Sequence, residues 1–198
     1  MVGLSPIQFF KSQVLLTLPY PTKKFTNQTI IVTGSNIGMG LEAARHFVRL
    51  DASKVILAVR SPSKGASAKA SIEESTNRLG CVEVWDLDFS SYSSVKEFAA
   101  RAQGLKRLDV VVENAAVFMF HYETAEENEI TVTVNVVSTF LLALLLLPKL
   151  RETAVRYGKV PVLTFTGSFT HEMAKFPEQK AERIFDELNK KDAKLGER

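Results

Sequence analysis

Five short apolar runs divide the chain: TIIVT (29–33), KVILAV (54–59), VEVWDL (82–87), LDVVVEN (108–114) and VPVLTFTG (160–167). They are rich in β-branched residues and are apolar throughout rather than alternating. That pattern marks strands of a parallel sheet covered on both faces. The segments between them have helical character. LEAARHFVRL (41–50) places Leu41, Ala44, Phe47 and Val48 on one face. A polar, Ala- and Ser-rich segment covers 64–79, with Gly80 as its natural stop. SSYSSVKEFAARA opens with cap residues, and Ser94 with Glu97 has capping-box spacing. A long helix is expected over Glu126 to Leu150. Short strands alternating with helices indicate βαβ units. The expected fold is therefore α/β, a doubly wound parallel sheet in a single domain.

The two ends read differently. The N-terminal SPIQFFKSQVLLTLPYP is apolar but broken by Lys11, Gln13 and two prolines. It has no basic start and no small-residue cleavage site, which argues against a signal peptide. Residues 1–25 are expected to form an extension with a short helix, lying either on its own domain or on a membrane surface or partner. Residues 26–198 form the main domain. The last 22 residues carry six basic and six acidic side chains. Ile184, Phe185 and Leu188 supply one apolar stripe, so an exposed helix with a frayed end is expected.

Composition narrows the function class. The chain has 198 residues and a net charge of +3, from 25 basic and 22 acidic residues scattered along it. Nucleic-acid binding is not favoured. A single cysteine, Cys81, excludes an internal disulfide and suits a reducing compartment, here the cytoplasm. His46, His121 and His171 lie far apart and offer no metal-ligand spacing. The most apolar run, Phe140 to Leu147, ends at Pro148 and is too short to span a membrane, which needs about 20 residues.

Candidate chemistry begins at TGSNIGMG (33–40), directly after the first strand. Gly34 permits a sharp turn into the helix. Gly38 and Gly40 would let backbone N–H groups and the helix N-terminus approach an anionic pyrophosphate. The alternative is a glycine-rich turn that binds nothing. At the end of the second strand stands AVRSPSK, with Arg60, Lys64 nearby and no carboxylate. An acidic residue there would hold the ribose 2′-OH of NAD; a planar guanidinium suits the 2′-phosphate of NADP. The expected cofactor is NADP, unless Arg60 is simply a solvated strand-end charge. The same arginine counts against binding of S-adenosylmethionine.

The glycine spacing, G-x-x-x-G-x-G after Thr33, resembles that of the short-chain dehydrogenase/reductase family. VVENAAV (111–117) resembles the family's Asn-Asn-Ala-Gly motif, with Glu113 and Ala116 as departures. TVNVVSTFLLALLLLPKL resembles its long helix, and LTFTGSFTH its fifth strand with the catalytic serine. The likeness covers about residues 26–190 and looks closest to fungal secondary-metabolism and retinol-dehydrogenase-like members. It implies a Rossmann-type fold and hydride transfer between nicotinamide and a carbonyl or alcohol of a small organic substrate. It also implies a cofactor turn of Gly34, Ser35, Asn36, Ile37, Gly38 and Gly40. Asp88 would reach the adenine amino group, while Asn114 and Ala115 would wall the adenine ribose, although Asn114 also reads as a strand-end cap. Asn135 and Ser168 would be catalytic, the first through a relay water and the second on the substrate oxygen.

The family's acid is a tyrosine with a lysine four residues later, the lysine lowering a phenol pKa that is normally about 10. Tyr20/Lys24 and Tyr92/Lys96 have that spacing but precede Asn135, against the family order. No tyrosine follows Ser168. His171 is a nearby substitute, or else structural. The domain is thus expected to lack the last strands of the family fold, leaving the fifth strand as an open edge. Three readings stay open: an incomplete or weak reductase/dehydrogenase, a nucleotide-binding module without turnover, and an interaction subunit. The long apolar helix reads equally as a core element or as a homo-oligomer interface, and the open edge is a second place for such pairing.

Overall fold

The computed structural model describes residues 10–12, 14–17, 19–168, 171 and 174–191. Part of the expected N-terminal helix, and residues 192–198, lie outside them. Strands β1 (Thr29–Thr33), β2 (Lys54–Val59), β3 (Val82–Asp86) and β4 (Val110–Glu113) fall on the first four apolar runs. A two-residue pair, β5 (Thr124–Ala125) and β6 (Asn128–Glu129), forms a small hairpin, and β7 (Val162–Phe165) is the fifth run. The main sheet is parallel throughout, in the order β3-β2-β1-β4-β7. The chain therefore reverses its winding between β1 and β4, and that switch point opens a crevice at the C-terminal ends of both strands.

Helices α1 (Gly38–Arg49) and α2 (Pro62–Thr76) cover one face, over Ile30, Val32, Val55 and Leu57. Helices α3 (Tyr92–Gln103) and α4 (Ile130–Tyr157) cover the other, over Ile31, Ile56, Trp85 and Val111. Both clusters contain side chains with no exposed surface. Each such Ile or Leu contributes about 1.5–3 kcal/mol by leaving water. This two-faced burial is why the strands read as unbroken apolar runs.

Local chemistry moves several element ends. α2 stops at Asn77, which takes a left-handed conformation (φ 52°), before Gly80 is reached. α3 is capped by Ser91, whose Oγ accepts from Ser94 N; Ser94 instead gives its Oγ to Asp88 N. The hairpin occupies the residues where the long helix was expected to start. Glu129 then caps α4 by accepting from Thr131 N and Val132 N. Pro148 does not end α4, which continues to Tyr157 and closes at left-handed Gly158. Proline removes one N–H bond to residue i−4, here the carbonyl of exposed Leu144, which water can satisfy.

The expectation that no segment could span a membrane needs correction. α4 is 28 residues long with a mean hydropathy of 2.3 over its most apolar window, enough by length and composition. Half of that window is buried in the protein, with Leu142, Leu146 and Leu150 in the core, as expected of a core helix. The C-terminal segment is also more anchored than expected. It forms a 3₁₀ turn (Pro177–Lys180) and a short helix α5 (Ile184–Leu188). Asn189 then grips the hairpin, accepting from Glu129 N and donating to Asn128 Oδ1.

Candidate active site and cofactor crevice

The glycine turn lies at the switch point, and its three glycines have different reasons to be bare. Gly34 turns the chain at φ +62°, and a Cβ there would stand 2.9 Å from Ala115 Cα. Gly40 is bare because of the protein itself: a Cβ would lie 2.5 Å from Asn114 Nδ2 and 2.6 Å from the Gly34 carbonyl oxygen. Only Gly38 faces open space, at φ +60° with nothing within 4 Å. Gly38 therefore leaves room beside the turn, while the bareness of Gly40 already has a packing reason. Gly38 begins α1, and Ile37 caps that helix without a side-chain hydrogen bond, so the first N–H groups of α1 have no side-chain partner from the cap. Such a helix start favours an anion.

Thr33 and Asn114 hold the turn. Thr33 Oγ1 accepts from the backbone N–H groups of Asn114 and Ala115, at 2.9 Å each, and lies 3.4 Å from Glu113 Oε2. Asn114 Nδ2 donates to the carbonyls of Thr33 and Gly34 at 3.0 and 3.4 Å. Asn114 thus acts through its side chain as the clasp between β1 and β4. Ser35 is fully buried and donates to Val32 O at 2.8 Å, so its side chain builds the turn and does not face the crevice.

Two adjoining hollows make up the crevice, meeting at Ala115 and Ala116. The first, about 170 Å³, is lined by Gly34, Asn36, Arg60, Asp88 and Ala115 among others. Arg60 is exposed and makes no ion pair with the described residues. Lys64 lines a separate hollow with Ile37, which Asn36 also borders. Asp88 accepts from Ser90 N and Ser90 Oγ through Oδ1, which fixes its carboxylate at the crevice wall. Asp86 remains in β3 and is exposed.

The second hollow, about 370 Å³, brings Asn135 and Ser168 together with Glu113, Asn114, Phe140 and Phe165. Asn135 sits in a π-helical turn (Thr133–Ser138) within α4. Residues 130–139 are nearly all β-branched, which crowds a regular helix, and π turns recur at functional sites. The Asn135 side chain is committed: Nδ2 donates to Val117 O and Oδ1 accepts from Val117 N, both at 2.8 Å. It pins the loop after β4, so its side chain is not free to hold a water. His171 does not line this hollow; its Nδ1 lies 2.6 Å from the Ser168 carbonyl oxygen.

Neither early Tyr/Lys pair reaches the crevice. Tyr20 packs edge-on against His46, and Lys24 pairs with Asp51 at 2.7 Å. Tyr92 starts α3 and accepts from Asn128 Nδ2 through its hydroxyl. What sequence reasoning undervalued is Glu113, noted there only as a motif departure. It is 3% exposed, its Oε1 has no hydrogen-bond partner, and burial pushes its carboxyl up to about 8. The available signal was an acid ending a run of three valines with no nearby cation.

Comparison with known proteins agrees with this geometry. The short chain dehydrogenase family profile matches residues 28–183. A short chain dehydrogenase/reductase of the fungus Cryptosporiopsis sp., dmxR8, is 50% identical over 175 residues, 87% of this chain and 54% of its own. The short chain dehydrogenase atnD of Emericella nidulans is 49% identical, over 96% of this chain and 62% of its own. The chain thus spans between half and two thirds of these relatives' lengths. Among solved structures, a putative short chain dehydrogenase of Escherichia coli CFT073 complexed with NADPH superposes with a TM-score of 0.63. It is 26% identical and covers 89% of this chain and 68% of its own. With the glycine turn, the clasped β4 end and the Asn135–Ser168 hollow in family order, this chain belongs to the short-chain dehydrogenase family.

Proposed function

We propose that this chain is the cofactor-binding part of an NADP(H)-dependent oxidoreductase acting on a carbonyl or alcohol of a small organic molecule. The observation that carries the cofactor reading is the pairing of open Gly38, at the start of α1, with Arg60, which has no ion-pair partner among the described residues and no carboxylate beside it at the end of β2. The helix start suits a pyrophosphate and the guanidinium a 2′-phosphate. Asp88, Asn36 and Ala115 would line the adenosine end; Asn135 and Ser168 stand at the other end of the crevice. The NADPH-bound E. coli relative supports the same assignment.

The cofactor would supply or accept a hydride. Ser168 would donate a hydrogen bond to the substrate oxygen, and the π turn around Asn135 would position a water beside it. Met39, Phe140 and Phe165 make the lining largely apolar, which favours an apolar substrate. The fungal relatives favour a role in secondary metabolism. A second reading, nucleotide binding without turnover by these 198 residues, is favoured by the placement of both Tyr/Lys pairs away from the crevice.

The test is a fluorescence titration of the protein with NADPH and NADH, followed by NADPH oxidation with a panel of ketones. Tighter NADPH binding supports the assignment, and Arg60→Glu is expected to shift preference toward NADH. Unchanged preference in that variant would remove Arg60 from the site. Turnover lost in Ser168→Ala would place chemistry in the second hollow; binding with no turnover would favour the second reading.

A further inference from the structure

Glu113 closes β4 at the floor of the second hollow. It is held in register beside Phe165 of β7 and next to Thr33 of β1. Its side chain is almost completely buried, and one of its two carboxyl oxygens has no partner. A buried carboxylate normally has a cation or several donors. Here the donors are spent elsewhere: the Asn114 and Ala115 N–H groups go to Thr33 Oγ1, which leaves Glu113 a single long contact from that hydroxyl.

The surroundings are neutral on every side. β1 presents Thr33, β7 presents Phe165, α4 presents Asn135, Thr139 and Phe140, and α1 presents Met39. Among the described residues lining the hollow, Glu113 is the one ionisable group. His171, after β7, does not line the hollow, and its Nδ1 lies against the Ser168 carbonyl. Desolvation without a compensating charge keeps a carboxyl protonated at neutral pH, in line with its value of about 8.

This inference rests on the reading above, in which the nicotinamide end of the cofactor occupies the Asn135–Ser168 hollow. We propose that Glu113 is a positioning residue that distinguishes the two oxidation states of the cofactor. It keeps its proton beside the neutral reduced ring, and releases that proton to solvent when the positively charged oxidised ring enters. The carboxylate formed then pairs with the ring charge in a low-dielectric cavity, where opposite charges interact strongly. The fold places an acid where the family motif has an amide, and the acid tunes the relative affinity for NADP⁺ and NADPH.

The experiment measures dissociation constants for NADP⁺ and NADPH on the 198-residue protein from about pH 6 to pH 8.5. Taking their ratio cancels the titration of the 2′-phosphate common to both. The expected result is a shift of at least about fivefold toward NADP⁺ as pH rises, a change of about 0.7 pKa units or more in the bound state. Glu113→Gln, with folding checked by thermal melting, should hold the ratio within about twofold. A second readout needs no variant: a pH indicator in weak buffer near pH 7.5 should record proton release on binding NADP⁺ and little on binding NADPH. A flat ratio in the wild type, a slope that survives in Glu113→Gln, or no proton release would overturn the proposal. If neither nucleotide binds, the cofactor reading fails and takes this inference with it; binding with a flat ratio overturns this inference alone.

Discussion

Thr33 commits its hydroxyl entirely to its neighbours, accepting from two backbone N–H groups of the next strand and meeting the Glu113 carboxyl. Thr33→Val should cost about 2 kcal/mol, since it strands donors with little water to replace the bond; urea unfolding checks this, and a neutral effect would show that the clasp is carried by Asn114 alone. The glycines separate in the same way. Gly40→Ala should destabilise by about 1–3 kcal/mol, because the atoms it meets are a backbone carbonyl and a fixed amide. Gly38→Ala should cost about 1 kcal/mol for its positive φ, yet lose most NADPH affinity. Equal effects on stability and binding at the two positions would contradict their separate roles. Glu113 adds a pH dependence. Its folded value, about 8, is raised from 4.5 by burial. The native state thus holds a proton that the unfolded chain has lost, and stability falls as pH rises from 4.5 to about 8, with a limiting slope of about 1.4 kcal/mol per unit. Glu113→Gln should match wild type near pH 4 and exceed it at pH 8. The sequence announced the glycine turn and Arg60, because those residues have few other reasons to stand there. It did not announce that Gly40 is bare for packing, since that follows from Asn114 at the end of β4 lying beside β1, a contact across roughly 80 residues.

At the scale of elements, the buried strands were the most legible part, because burial on both faces leaves nothing polar inside them. The ends of the helices were less so. Ser91 and Ser94 are chemically equal as caps, and only the demand of Asp88 N for an acceptor assigns Ser94 elsewhere. The π turn in α4 was hidden in a β-branched run whose strain has no one-residue signature. Its use is to bring Asn135 against Val117. Asn135→Ala should therefore release the loop after β4. Hydrogen exchange at the Val117 amide is expected to speed up by about tenfold or more, while exchange in β1 stays unchanged; unaltered protection at Val117 would show that the clamp is not what holds the loop.

At the scale of the molecule, the sheet ends at β7, and that edge is uncovered among the described residues. Val162 and Phe165 are exposed there, as are Phe140 and Leu144 on α4, with Phe140 stacked on Phe165 at 5.0 Å. An open apolar edge pairs readily with another chain. The 198-residue polypeptide is expected to self-associate in light scattering, and a stable monomer there would contradict the idea that this face drives assembly. The proposed selection of a phosphorylated dinucleotide rests on one crevice, between a glycine turn and an arginine. Its most direct measurement is the pair of dissociation constants for NADPH and NADH on wild type and Arg60→Glu. NADPH is expected to bind the wild type tighter by at least about tenfold, a phosphate–guanidinium contact of about 1.4 kcal/mol or more, and the variant to lose that margin. Equal affinities in the wild type, or a margin that survives the substitution, would contradict it.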